Sequence, residues 1–213
     1  MMEYRINVSF TTRTDKTTRV MEIAESFGLG MEEKEFTLYD NLSLQIETGD
    51  VVYITGQSGS GKSVVLRELQ RQMRENGLQV TSIDDIVFDN TRPVIDQIGK
   101  TTAEALSLLS LAGLNDAYLF IRKPTELSDG QRYRLRIAKL IEAGAGVWAA
   151  DEFGAVLDRV TAQVVGSNLQ RAARQCGAIV LVATTHEDLL SALRPDVTIT
   201  KHYKERVRVD YAG

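Results

Sequence analysis

Apolar residues along this chain alternate between two spacings, one suited to strands and one to helices. Residues Tyr4 to Phe10 alternate, with Ile6, Val8 and Phe10 on one side, and predict a strand. A polar turn, Thr11 to Thr18, leads to a short helix over Arg19 to Phe27 that Gly28 ends. Phe36 to Ile46 alternates in part (Leu38, Leu42, Leu44, Ile46), and Thr48-Gly49-Asp50 turns the chain into a buried strand, Val51 to Ile54. Val64 to Glu75 carries Val65, Leu66, Leu69 and Met73 at helical spacing, and Asn76-Gly77 stops it. A strand comes next within Leu78 to Phe88, interrupted by Asp84-Asp85, and Pro93 breaks any continuation. Thr101 with Glu104 opens a helix through Ala112, and Asn115 to Arg122 predicts a further short helical piece. Ser128 with Gln131 opens another helix, to about Ala143. Val147 to Ala150 predicts a strand, Arg159 to Gln175 a helix, and the apolar run Ala178 to Ala183 a central parallel strand covered on both faces. Glu187 to Leu193 reads as a short helix, with closing strands at Val197 to Thr200 and Arg206 to Val209. Strands alternating with helices predict an α/β protein with a parallel, three-layer core.

At 213 residues the chain is long enough for one well-buried domain, and 43% apolar with 25% charged residues excludes a disordered chain. A net charge of −4 argues against bulk attraction to nucleic acid but leaves a local basic patch open. Cys176 is the only cysteine, so an internal disulfide is impossible and a reducing cytoplasm is the expected compartment. No apolar run approaches a membrane span and no signal-peptide pattern opens the chain, so a soluble protein is expected.

Between the strand at Val51 and the helix at Val64 lies Gly56-Gln57-Ser58-Gly59-Ser60-Gly61-Lys62-Ser63, a full match to G-x-x-x-x-G-K-[ST] in the right strand–loop–helix setting. Glycines let several backbone N–H groups point at one phosphate, and the helix N-terminus adds partial positive charge. Lys62 supplies a charge for the β- and γ-phosphates, and the Ser63 hydroxyl suits Mg²⁺. The strand at Val147 ends in Asp151-Glu152. Asp151 is the candidate Mg²⁺ ligand, and Glu152, one residue further out, the candidate base for an attacking water.

The order of motifs resembles the ATP-binding cassette (ABC) ATPases from about residue 36 to 200. Leu127-Ser128-Asp129-Gly130-Gln131 is similar to the family's signature, with Asp129 where glycine is most usual; Asp151-Glu152 resembles its Walker B pair; Ala155-Val156-Leu157-Asp158 resembles its D-loop; and His186 its switch histidine. The resemblance implies a P-loop NTPase core with a parallel sheet (about 51–90 and 145–213), an antiparallel β lobe at the N-terminus (about 1–50) and a shortened helical lobe (about 91–144), all within a single domain over 1–213. It implies ATP and Mg²⁺ as cofactors, bound by the loop from Gly56 to Val64, with Lys62, Glu152 and His186 catalytic. Ser128, Gly130 and Gln131 would close over the ATP of a second copy in a head-to-tail homodimer. Two parts match poorly. Asp89 aligns with the glutamine that senses Mg²⁺, with Gln97 the other option; and Phe27 is the favoured adenine-stacking aromatic, with Phe36 and Tyr39 competing.

The stretch from Lys62 to Ser128 is short for this family, which points away from transport and towards soluble stand-alone members of phage and archaeal type. DNA or a DNA-processing protein is then the expected partner and a membrane permease the less favoured one. Arg132, Arg134, Arg136 and Lys139, with Arg67, Arg71 and Arg74, are the residues a nucleic acid would meet, although their spacing suits a solvated face better. A transporter subunit and a nucleotide-gated module with little turnover are the alternatives.

Overall fold

The computed structural model describes residues 2–203 and 205–212. The chain divides into two units: Arg5–Ser43, and a larger one made of everything from Leu44 onward with the first residues up to Tyr4. The smaller unit is built on β1 (Met2–Thr12), α1 (Thr18–Phe27) and β2 (Lys34–Ile46), with β1 and β2 paired as a two-stranded sheet. Thr17 caps α1 by accepting from the Val20 N–H, and Gly28 ends it at φ +62°. Asn7 Oδ1 accepts from Asn41 N–H at 2.6 Å and holds that residue in the left-handed region at φ +49°.

The larger unit runs β3 (Val51–Thr55), α2 (Lys62–Glu75), β4 (Val80–Ser82), α3 (Thr102–Leu111), α4 (Ala117–Phe120), α5 (Asp129–Glu142), β5 (Val147–Ala150), α6 (Arg159–Cys176), β6 (Ile179–Thr184), α7 (Leu190–Leu193), β7 (Val197–Thr200) and β8 (Arg208–Tyr211). Its sheet has the order β4-β5-β6-β3-β7-β8, parallel except for β8. β3, β5 and β6 are buried along their whole length, as apolar strands covered on both faces must be. Val51, Tyr53, Trp148, Ala150, Val180 and Val182 pack with α3, α5 and α6 into one core cluster; the buried face of α2, built from Val65, Leu66, Leu69 and Met73, lies outside it. The register pairs Thr55 with Thr184 and Ala150 with Val182, so β3, β5 and β6 end together at one edge of the sheet. Such an edge is where open α/β sheets bind ligands.

Two elements differ from the sequence expectation. The strand expected within Leu78 to Phe88 is only Val80–Ser82, because Ser82 Oγ accepts from Asp84 N–H and winds Ile83–Asp85 into a 3₁₀ turn. The last strand is Arg208–Tyr211, two residues later than its pattern suggests, set by the pairing of Ile199 with Val209.

Candidate nucleotide site

The loop after β3 is built for close backbone approach. Gly56 takes φ +138°, and a Cβ there would collide with the carbonyl oxygen of Lys201, just past β7. Gly61 takes φ +100° and turns the chain into α2, whose first residue is Lys62, two residues before the expected start. Lys62 is only 9% exposed. Its Nζ donates to the carbonyl oxygens of Gly56 (2.9 Å) and Gln57 (2.8 Å). Burial pulls its pKa below the usual lysine value, and the charges of Asp151 and Glu152 oppose that. Ser60 Oγ is buried without a hydrogen-bond partner, so the loop carries an unsatisfied polar group.

β5 ends at Ala150; Asp151 follows, and Glu152 comes next in the left-handed region at φ +48°, with its N–H donating to Asp151 Oδ1 at 3.0 Å. A bulky residue held there stores strain, which is characteristic of working sites. Thr184, at the end of β6, clamps the two loops beside it: its hydroxyl donates to the Phe153 carbonyl (3.0 Å) and accepts from the His186 N–H (3.1 Å). The Tyr53 hydroxyl donates to the His186 carbonyl, anchoring that residue to β3. A cleft of about 430 Å³ results, lined by Ser58, Gly59, Gly61, Lys62, Ser63, Asp151, Glu152, Ala155 and the run Ala183 to His186. Gly56, Gln57 and Ser60 of the motif, and Val64 just after it, do not line the cleft. Thr184 went unremarked in the sequence, although it is the first polar residue after an apolar run.

Ser128 caps α5 reciprocally with Gln131, and Asp129 pairs with Arg132 at 2.7 Å, which turns its charge onto its own helix. Gly130 lies against the loop after β5: a Cβ would stand 3.2 Å from the Val156 carbonyl oxygen. None of the signature residues lines this chain's own cleft. Asp158 caps α6 by accepting from the Thr161 N–H at 2.9 Å.

Asp89 and Gln97 also stand apart from the cleft. The Asp89 carboxylate accepts from the Thr91 N–H and hydroxyl, which lowers its pKa, and Gln97 ties the loop by bonding Asp89 and Arg92. In the smaller unit Phe27 and Phe36 are exposed, whereas Tyr39 is buried, its hydroxyl pKa pushed up to about 12. The donors suited to Mg²⁺ in the cleft are the Ser63 hydroxyl and the Asp151 carboxylate, and that small set fits an ion whose other ligands are phosphate oxygens and water.

The cations expected to meet nucleic acid are largely engaged within the chain. Arg134 donates to the carbonyls of Gly113 (2.7 Å) and Gly130 (3.3 Å), Lys139 to Gln97 O and Glu142, and Arg71 pairs with Glu68 and Glu75.

The chain is similar to known proteins in sequence and in fold. Residues 39–98 match the family model described as ABC transporter. The methionine import ATP-binding protein MetN of Latilactobacillus sakei is 28% identical over 194 residues, covering 73% of this chain and 54% of its own length. MetN of Brucella abortus is 26% identical over 244 aligned positions, covering 94% of this chain and 65% of its own. A dimeric post-hydrolysis structure of the ATP-binding cassette MJ0796 bound to ADP and Pi superimposes with a TM-score of 0.69 at 18% identity, with both chains fully covered. The chain folds as an ATP-binding cassette domain.

This cassette spans between about half and two thirds of the length of the curated relatives it matches. Comparison also corrects the partner. The expectation of DNA or a DNA-processing protein is overturned: these relatives are import ATP-binding proteins, and a metal-chelate type ABC transporter shares the fold with a TM-score of 0.61 at 20% identity. Among the described residues no helix is long and apolar enough to cross a membrane.

Proposed function

We propose that this cassette binds MgATP and hydrolyses it as the energy-supplying subunit of an ABC transporter, working at the cytoplasmic face of a membrane permease. One observation carries the reading: the phosphate loop, Asp151, Glu152 and His186 converge on a single cleft at the ends of β3, β5 and β6. The import ATP-binding relatives supply the transporter class.

Lys62 leaves its two carbonyl partners to meet the β- and γ-phosphates, and the N–H groups opening α2 take the remaining charge. Ser63 and Asp151 would hold Mg²⁺, which neutralises phosphate charge when bound. Glu152 orients a water in line with the γ-phosphate and accepts its proton, and His186 contacts the γ-phosphate from the far wall. Ser128, Gly130 and Gln131 serve a second copy's nucleotide in a head-to-tail dimer, a reading that the dimeric cassette structures support. Phe27 and Asp89, carried over from the family pattern, find no support in the cleft's lining.

Two measurements test this. Phosphate release from MgATP should be measurable in the wild type and lost in Lys62→Ala. An integral membrane subunit should copurify with the tagged chain from detergent-solubilised host membranes. Recovery of the chain alone, in the soluble fraction only, would contradict the transporter reading.

A further inference from the structure

Glu152 sits in a conformation that its surroundings must hold. It takes φ +48°, and Gly154, two residues on, takes φ +78°. A non-glycine residue stays in the left-handed region only where neighbouring contacts leave it no alternative. Between the two, Phe153 is fully buried and fixed from β6. Its N–H donates to Ala183 O at 2.9 Å, and its carbonyl accepts from the Thr184 hydroxyl at 3.0 Å. The parallel sheet thus holds the loop from one side.

The helix α5 holds it from the other. Gly130 and Tyr133, three apart on that helix, share one face, and both meet the loop after β5. Gly130 lies close against the Val156 carbonyl oxygen, and the Tyr133 hydroxyl oxygen accepts from the Gly154 N–H at 3.1 Å. The Tyr133 ring is edge-on to Phe153, with centroids 6.2 Å apart and planes at 67°. Burial raises the pKa of the Tyr133 hydroxyl, against the effect of the Gly154 N–H, so the group is a neutral acceptor at ordinary pH. Tyr133 does not line the nucleotide cleft, so it reaches the chemistry through this loop.

We propose that Tyr133 is a positioning residue for hydrolysis: by accepting from the Gly154 N–H, it fixes the loop that presents Glu152 to the attacking water. The inference rests on the reading of Glu152 as the base, and adds what holds that base in place. Loss of the hydroxyl leaves the ring packed on Phe153 but strands the Gly154 N–H, and the loop gives way to re-pair it. A displacement of about 1 Å at the reacting groups costs up to about a hundredfold in rate. Nucleotide binding rests on the separate loop from Gly56 and is spared.

The test is a double-mutant cycle in single-turnover hydrolysis, with ATP affinity measured alongside. Tyr133→Phe keeps the ring and removes the acceptor. It should slow hydrolysis by about tenfold to a hundredfold, with ATP affinity within about twofold of wild type. In a Glu152→Gln background the same substitution should change the residual rate by less than about twofold, because the base it positions is gone. A full multiplicative loss in that background marks a merely structural role and overturns the proposal. Wild-type hydrolysis by Tyr133→Phe overturns it too. The wild type offers a check that needs no variant: the Gly154 amide should be protected from hydrogen exchange by NMR, and an unprotected amide contradicts the bond. The outcomes also separate this proposal from the one beneath it. If Glu152→Gln hydrolyses ATP at the wild-type rate, Glu152 is not the base and both readings fall. If Glu152→Gln is inactive while Tyr133→Phe is unimpaired, the positioning role alone is wrong.

Discussion

Lys62 Nζ donates to the carbonyl oxygen of Gly56 at 2.9 Å, so the cation that should meet phosphate is folded back on the opening residue of its own loop. A buried lysine tied only to neutral carbonyls is a poor resting place for a charge, and its lowered pKa says the same. On the proposed function, nucleotide binding exchanges those carbonyls for phosphate oxygens. Lys62→Met keeps the bulk and removes the charge, and should weaken ATP binding at least tenfold in an equilibrium titration while leaving thermal stability close to wild type.

Gly56 owes its identity to packing as well as to phosphate. At φ +138° and against the Lys201 carbonyl, it admits no side chain without moving either β3's end or β7's. Gly56→Ala should destabilise the protein by about 2 kcal/mol or more, read as a lower urea midpoint. Gly59, with open space around its Cα, is the control: Gly59→Ala at φ +74° should cost only about 1 kcal/mol of backbone strain.

Much of this site was legible in the sequence because its signals are local. The phosphate loop is eight consecutive residues between a strand and a helix, and the Ser128–Gln131 capping box is four. The illegible part depends on residues far apart in the chain. Nothing near Gly56 announces Lys201, nothing near Gly130 announces Val156, and Tyr53 reads as one more core residue until its hydroxyl meets His186. The 3₁₀ turn at Ile83–Asp85 was hidden for a different reason: a single serine hydroxyl, Ser82, outweighed a strand-like pattern. The partner was misread because the short stretch from Lys62 to Ser128 was taken as a mark of non-transport members; the spacing of the basic residues had favoured a solvated face, and Arg134 and Lys139 are spent on carbonyl oxygens within the chain.

Tyr53 links stability to pH. Burial pushes its hydroxyl up to about 12, while an unfolded tyrosine titrates near 10. Between about pH 10 and 12 the unfolded chain therefore loses its proton first, and the stability present below pH 10 drains away as pH rises through the folded value. Tyr53→Phe should remove part of this alkaline loss. It also leaves the His186 carbonyl without its donor, at a cost of about 1–3 kcal/mol at neutral pH. Urea midpoints of the two proteins from pH 8 to 11.5 should converge as pH rises; parallel curves would contradict the assignment.

Gly130 ties the signature helix to the loop after β5. Gly130→Val adds branched bulk where a single Cβ already stands 3.2 Å from the Val156 carbonyl. The loop must shift, and with it the surface that would meet a second copy. Hydrolysis should fall at least tenfold while the affinity for ATP, held by the separate phosphate loop, changes by less than twofold.

Glu152 is the residue on which the hydrolytic account depends. Glu152→Gln preserves size and a hydrogen bond to water but cannot accept a proton, and loss of a positioned base slows chemistry by about 10²- to 10⁴-fold. With ATP retained and not cleaved, two copies should remain closed over two nucleotides. The decisive measurement is the molar mass of Glu152→Gln by light scattering after size exclusion, with and without saturating MgATP. The account predicts a species of one 23.6 kDa chain without nucleotide and of two chains with it. A mutant that stays at the single-chain mass in saturating MgATP would contradict it.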